Sequence, residues 1–145
     1  MTAEIMVFHG EDVNREEAEK LLGLCLKKLQ PENAACEIFD ASENNKEVTG
    51  HIVVCPVGLK LSGTPAGCVT YSAKDNSADI VAINVQKHTR YISFELMSAE
   101  HMGRVFIDDS KHIGVDSVLM AAAVMYAAGV PLKNVISAIN SILKN

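Results

Sequence analysis

The residues able to do chemistry in this chain are few and scattered. His9-Gly10-Glu11-Asp12 sets an imidazole and two carboxylates behind the short apolar run Ile5 to Phe8. Such a set can hold a cation, but carboxylates ahead of a helix equally cap it or meet its dipole. No second group of ligands accompanies it, so no metal site is assigned. Cys55 ends the run HIVVC, just before Pro56 and Gly58. A catalytic thiol there needs a base within reach, and His51 on the same extended strand lies roughly 13 Å away. A small α/β enzyme using Cys55 therefore stands as one reading, against a buried, inert thiol. Asp108-Asp109 with His112 has the residue types of an acid/base pair near a helix start, and equally those of a solvated turn. The candidate ligand-binding residues are His9, Gly10, Cys55, Gly58 and His112, with no catalytic residue and no cofactor assigned.

These side chains have to be positioned by a single domain spanning 1–145, because 145 residues is the ordinary size for one core. With 48% apolar and 21% charged residues the chain has the composition of a folded globular protein. Thirteen basic against eighteen acidic residues give a net charge of −5, and no Lys/Arg cluster is present to follow a phosphate backbone, so nucleic acid is excluded as a partner. No apolar run reaches the roughly 18 to 20 residues that cross a bilayer, and the start MTAEIMVFHGED is acidic where a signal peptide is basic. A cytoplasmic protein without membrane partners is expected. The spacing of Cys25, Cys36, Cys55 and Cys68 matches no common zinc pattern, and reduced, mostly buried thiols follow.

Periodicity places the elements. Ile5 to Phe8 reads as a strand, and Asn14 with Glu17 as a capping box opening a helix. In that helix Ala18, Leu21, Leu22, Cys25, Leu26 and Leu29 share a face, and Pro31 closes it. Ala35 to Asp40 and His51 to Val57 follow as strands, separated by the polar ASENNKEVTG. After the turn-rich GLKLSGTPAG come CVTYS, ADIVAINV, YISFELM and RVFIDD, all strand-like. Ile92, Phe94 and Leu96 share one face of their strand, and Val105 and Ile107 are expected to pair beside them across the turn SAEHMG. Val115 to Ala128 is an alanine-rich helix stopping at Gly129, and Pro131 is expected at the first position of a last helix burying Leu132, Val135, Ile136, Ile139 and Leu143. The expected fold is an α/β domain of two or three layers, with a mixed sheet of about six strands, an N-terminal helix and a C-terminal helix pair.

From Cys68 onward the order of features resembles the closing part of the central, ATP-binding domain of the Mur ligases, which add amino acids to peptidoglycan precursors. Cys68 to Val85 is similar to that family's strand, short turn and "ADI-x-A-x-N" strand, YISFELM to its "F-x-L" strand, and Gly114 to Ile139 to its alanine-rich helix, Gly-Val-Pro turn and last helix. The resemblance divides the chain into a divergent β-α-β half, 1–67, and a Mur-ligase-like half, 68–145. It implies an ancestor that used ATP to make an amide bond.

The departures bear on function. The family holds ATP with a glycine-rich loop ending in Gly-Lys-Ser/Thr, whose backbone N–H groups cradle phosphate while Lys neutralises charge and the hydroxyl holds magnesium. The nearest stretch here is Gly58 to Pro65, where Thr64 stands in place of the lysine and Pro65 in place of the hydroxyl. The family's His-Asn pair at the alanine-rich helix corresponds to Ile113-Gly114, with His112 one residue early, which turns a side chain by about 100°. Nothing here resembles the family's substrate-binding N-terminal domain or its C-terminal domain. The resemblance with these departures implies a non-catalytic binding or assembly module. Its alternative is one subunit of a split ligase whose phosphate loop comes from a partner. Apolar surface left on the alanine-rich helix is expected to support a homodimer.

Overall fold

The computed structural model describes residues 5–32 and 35–144. Among them run seven strands: β1 (Ile5–His9), β2 (Cys36–Asp40), β3 (Ile52–Pro56), β4 (Gly67–Ser72), β5 (Ile80–Lys87), β6 (Tyr91–Met97) and β7 (Met102–Asp108). Three α-helices join them: α1 (Arg15–Leu29), α2 (Val115–Ala127) and α3 (Leu132–Leu143). The strands form one sheet in the order β2-β1-β3-β4-β5-β6-β7, parallel from β2 to β5 and antiparallel from there to β7. The mixed sheet is as expected, with seven strands rather than about six.

All three helices lie on one face. Ile5, Val7, Val54, Tyr71, Ile80, Ala82, Phe94, Leu96, Val105 and Ile107 point into a core shared with the apolar stripe of α1, most of α2 and the inner face of α3. Among the described residues the opposite face has no α-helix. There Met6, Phe8, Phe39, Val53 and Cys55 form a smaller core closed by Val48, Leu59 and Leu61 from two connections. Those connections hold each other: the Val48 N–H donates to the Ser62 carbonyl at 2.9 Å and the Asn44 amide to the Lys60 carbonyl at 3.1 Å. Gly63 sits at φ +104° where they cross, and a Cβ there would overlap the Glu47 carboxylate.

The crossover from β3 to β4, residues 57–66, is therefore an irregular covering strap, although parallel strands are usually joined through a helix. It contains Gly58 to Pro65, the stretch nearest to a phosphate loop in sequence. That stretch runs from strand to strand over the small core, whereas a phosphate loop runs from strand to helix.

α2 corrects one expectation. Every residue from Ser117 to Met125 is buried, because the helix lies between the sheet, α1 and α3. Its apolar, alanine-rich composition reflects burial between these layers, so the exposed apolar surface expected on this helix is absent from Ser117 to Met125. Smaller differences concern caps. Gln30, in the left-handed region, ends α1 one residue before Pro31, and Pro131 is the N-cap of α3 rather than its first turn.

Both sheet edges are partly satisfied by side chains. On β7 the Phe106 N–H donates to Asn140 Oδ1 at 3.0 Å, while the Asn140 amide donates to the Arg104 carbonyl at 2.8 Å. On β2 the Arg15 guanidinium donates to the Ile38 carbonyl at 2.9 Å. An edge whose backbone groups are already engaged is a poorer template for another strand.

Candidate functional site

In parallel α/β sheets, ligands bind outside the carboxyl ends of the strands. At that edge the ends of β1, β3 and β4 and the start of α2 enclose a cleft of about 130 Å³. The turn after β1 is tight, with the Val13 N–H donating to the Gly10 carbonyl at 3.2 Å, and Asn14 caps α1 by accepting from the Glu17 N–H at 3.1 Å. Only five residues, Gly10 to Asn14, separate β1 from α1. Beneath them Tyr71 is buried, and its hydroxyl donates to the Phe8 carbonyl at 2.8 Å, tying β4 to β1. Burial pushes that phenol well above its ordinary range.

The charged groups lining the cleft are Glu11, Asp12, Asp116 and Lys74. Three carboxylates against one ammonium make the hollow unfavourable for phosphate. Partial burial raises the Asp116 carboxyl, Asp12 raises it further, and Lys74 opposes both. The neighbouring Ser72 hydroxyl accepts from the Lys74 and Asp75 N–H groups at 3.0 and 2.9 Å, closing its own turn.

The N-terminus of α2 is the other place at this edge where an anion would be held, since its first N–H groups lack helical partners. The protein supplies the anion itself. Glu17 of α1 accepts from the Gly114 N–H at 2.6 Å and from the Ser117 hydroxyl at 3.0 Å. The sequence pairs Glu17 with Asn14 as a capping box. The structure keeps the Asn14 half and sends the Glu17 carboxylate across to α2 instead.

Of the five residues singled out in the sequence, Gly10 alone lines the cleft. His9 turns toward β2, with Nδ1 3.2 Å from the Gly10 carbonyl and Nε2 3.8 Å from the Asp40 carboxylate. Cys55 faces the small core on the helix-free side, and burial with Cys68 and Asp79 nearby pushes its thiol up to about 12, the opposite of an activated nucleophile. Gly58, at φ +86°, begins the strap. His112, at φ +53°, ends a single 3₁₀ turn, Asp109–Lys111, beside a separate hollow with Lys87, Asp108 and Asp109. Sequence reasoning missed Tyr71, Lys74 and Asp116 as cleft residues and Glu17 as the α2 cap. The Glu17 contact joins residues 97 positions apart, and no local pattern signals it.

The fold is of the Mur-ligase kind. It matches the structure of UDP-N-acetylmuramoylalanyl-D-glutamyl-2,6-diaminopimelate--D-alanyl-D-alanyl ligase from Acinetobacter baumannii at a TM-score of 0.64 and 9% identity, over 95% of this chain and 46% of that one. Two crystal structures of MurF from the same organism match at TM-scores of 0.62 and 0.61, with 10% and 9% identity, over 95% and 99% of this chain and 45% and 46% of theirs. At such identities the likeness is one of fold. It extends beyond the 68–145 stretch that carries the sequence resemblance, and the chain spans less than half the length of these structures. No protein-family model and no curated protein sequence matches the chain.

Proposed function

We propose that this chain is a Mur-ligase-like domain of peptidoglycan precursor metabolism that works by binding or assembly and carries out no phosphoryl chemistry of its own. The observation that carries this reading is the Glu17 carboxylate set against the N-terminus of α2. A carboxylate of the chain itself holds the Gly114 N–H at 2.6 Å, in the position where a helix would otherwise receive an anion. The cleft beside it adds three carboxylates and is small, about 130 Å³ against the several hundred usual for a nucleotide-sized ligand. The sequence supplies no Gly-Lys-Ser/Thr to offset that charge.

The test is thermal melting of the full chain with and without millimolar MgATP, paired with titration calorimetry. The expected result is an unchanged melting temperature and no heat of binding. A ligand at a hundred times its Kd stabilises the folded state by about 2.7 kcal/mol. A rise of several degrees, abolished by Lys74→Ala at the cleft, would therefore overturn the reading.

A further inference from the structure

Two sulfur atoms meet on the helix-free side of the sheet. Cys55 of β3 is 2% exposed, Cys68 of β4 is exposed, and their Sγ atoms lie 4.0 Å apart. The register pairs Val53 with Cys68 and Cys55 with Thr70, so the cysteines are diagonal neighbours on one face. Between them in the chain runs the strap of residues 57–66, whose Leu59 and Leu61 cover the small core in place of a helix. The other two thiols do not share this arrangement: Cys25 is buried in the helix-side core, and Cys36 packs at its margin at the start of β2.

We propose that Cys55 and Cys68 form a reversible disulfide that joins β3 to β4 and closes the strap between them into a covalent loop. A disulfide requires its sulfurs at about 2.05 Å and its Cα atoms within about 7 Å, and diagonal neighbours on a sheet lie about 7 to 8 Å apart, so closure draws the start of β4, with its exposed Cys68, slightly toward β3. A low-molecular-weight disulfide such as oxidised glutathione serves as the oxidant. Cys68, as thiolate, attacks one glutathione sulfur, and the glutathione S–S bond breaks, releasing one glutathione thiolate. Cys55 then loses its proton and attacks Cys68 Sγ in the mixed disulfide, forming the Cys55–Cys68 bond and expelling the second glutathione. Two protein thiols are oxidised and one glutathione disulfide is reduced to two thiols. Burial holds both cysteines above the ordinary thiol range, so closure is slow at neutral pH and accelerates as pH rises. Because the bond closes a loop between residues thirteen positions apart, it removes freedom from the unfolded chain, and after the strain of closure it raises the melting temperature by roughly 5 °C.

The experiment equilibrates the folded full chain in oxidised and reduced glutathione, quenches with an alkylating agent under denaturing conditions, and maps the cross-links by mass spectrometry. The expected result is a mass lower by two hydrogens, a peptide joining Cys55 to Cys68, and a higher melting temperature that dithiothreitol reverses. Cys68→Ser, an exposed change, is expected to fold and to show neither the cross-link nor the rise. Glutathione held on Cys68 with Cys55 alkylated, both cysteines alkylated, or a cross-link that lowers the melting temperature would each overturn the proposal.

Discussion

The two halves of the sheet are built to different rules. The parallel strands β1 and β3 are covered twice, by helices on one face and by the two interlocked connections on the other. Their sequences accordingly read as unbroken apolar runs, IMVF and IVVC. The antiparallel strands β6 and β7 are covered once. Ile92, Phe94, Leu96, Val105 and Ile107 face the helices, while the alternate positions Tyr91, Ser93, Glu95, Arg104 and Phe106 face outward. On that outer face Glu95 joins Asn84 at 2.7 Å and Arg104 at 3.1 Å, and Asn84 sits at φ +54° where a bulge interrupts the β5–β6 register. His88 stacks on Tyr91 at 4.3 Å and its Nε2 lies 2.9 Å from the Ser93 hydroxyl, closing the hairpin end. Continuous apolar sequence thus marks a strand with two covers, and alternation a strand with one.

The largest effects that test this difference come from two phenylalanines buried in different cores. Phe8→Ala on the strap-covered face and Phe94→Ala on the helix-covered face are each expected to cost roughly 3 to 5 kcal/mol in denaturant unfolding, since both side chains are fully buried. A loss at Phe8 below about 1 kcal/mol would mean that the strap is not a true cover.

Glu17→Ala comes next, at about 1 to 2 kcal/mol, because it strips the Gly114 N–H and the Ser117 hydroxyl of their acceptor. Glu17→Gln, which keeps an acceptor oxygen, is expected to lose less in the same measurement. Equal losses would place the effect in charge rather than in the capping hydrogen bonds.

Phe106→Ala should cost under about 1 kcal/mol, because that ring is 45% exposed on the single-cover side. A cost matching that of Phe8→Ala would show the outer face covered in solution, and the contrast between the halves would collapse.

The smallest effect concerns acid. Hydrogen bonds from Asn84 and Arg104 hold the Glu95 carboxyl below its ordinary range. A depressed folded-state pKa contributes stability that is present above the ordinary carboxylate value and lost as pH falls through the depressed one. Glu95→Gln should therefore melt slightly lower than the parent at neutral pH, with the gap closing toward strongly acidic pH. A gap that is constant with pH would remove the carboxylate from the outer-face network.

Local pattern by itself determined the strands, the three helices and the pairing of β6 with β7. Periods of two and 3.6 follow from backbone geometry, and a short turn brings the Ile92, Phe94 and Leu96 face beside Val105 and Ile107, while the structure set the register, Ile92 opposite Ile107 and Phe94 opposite Val105. The resemblance to Mur ligases was legible for the same reason, since it lies in the order of such segments. Only the tertiary structure decided which face each element covers, that α2 is buried from Ser117 to Met125, and that Glu17 caps a helix 97 positions away. It alone separated His9, Cys55 and His112 from the cleft and put Asp116, Lys74 and Tyr71 there. These are contacts between segments remote in the chain, fixed by how the whole sheet and its layers pack, and no window of sequence contains them.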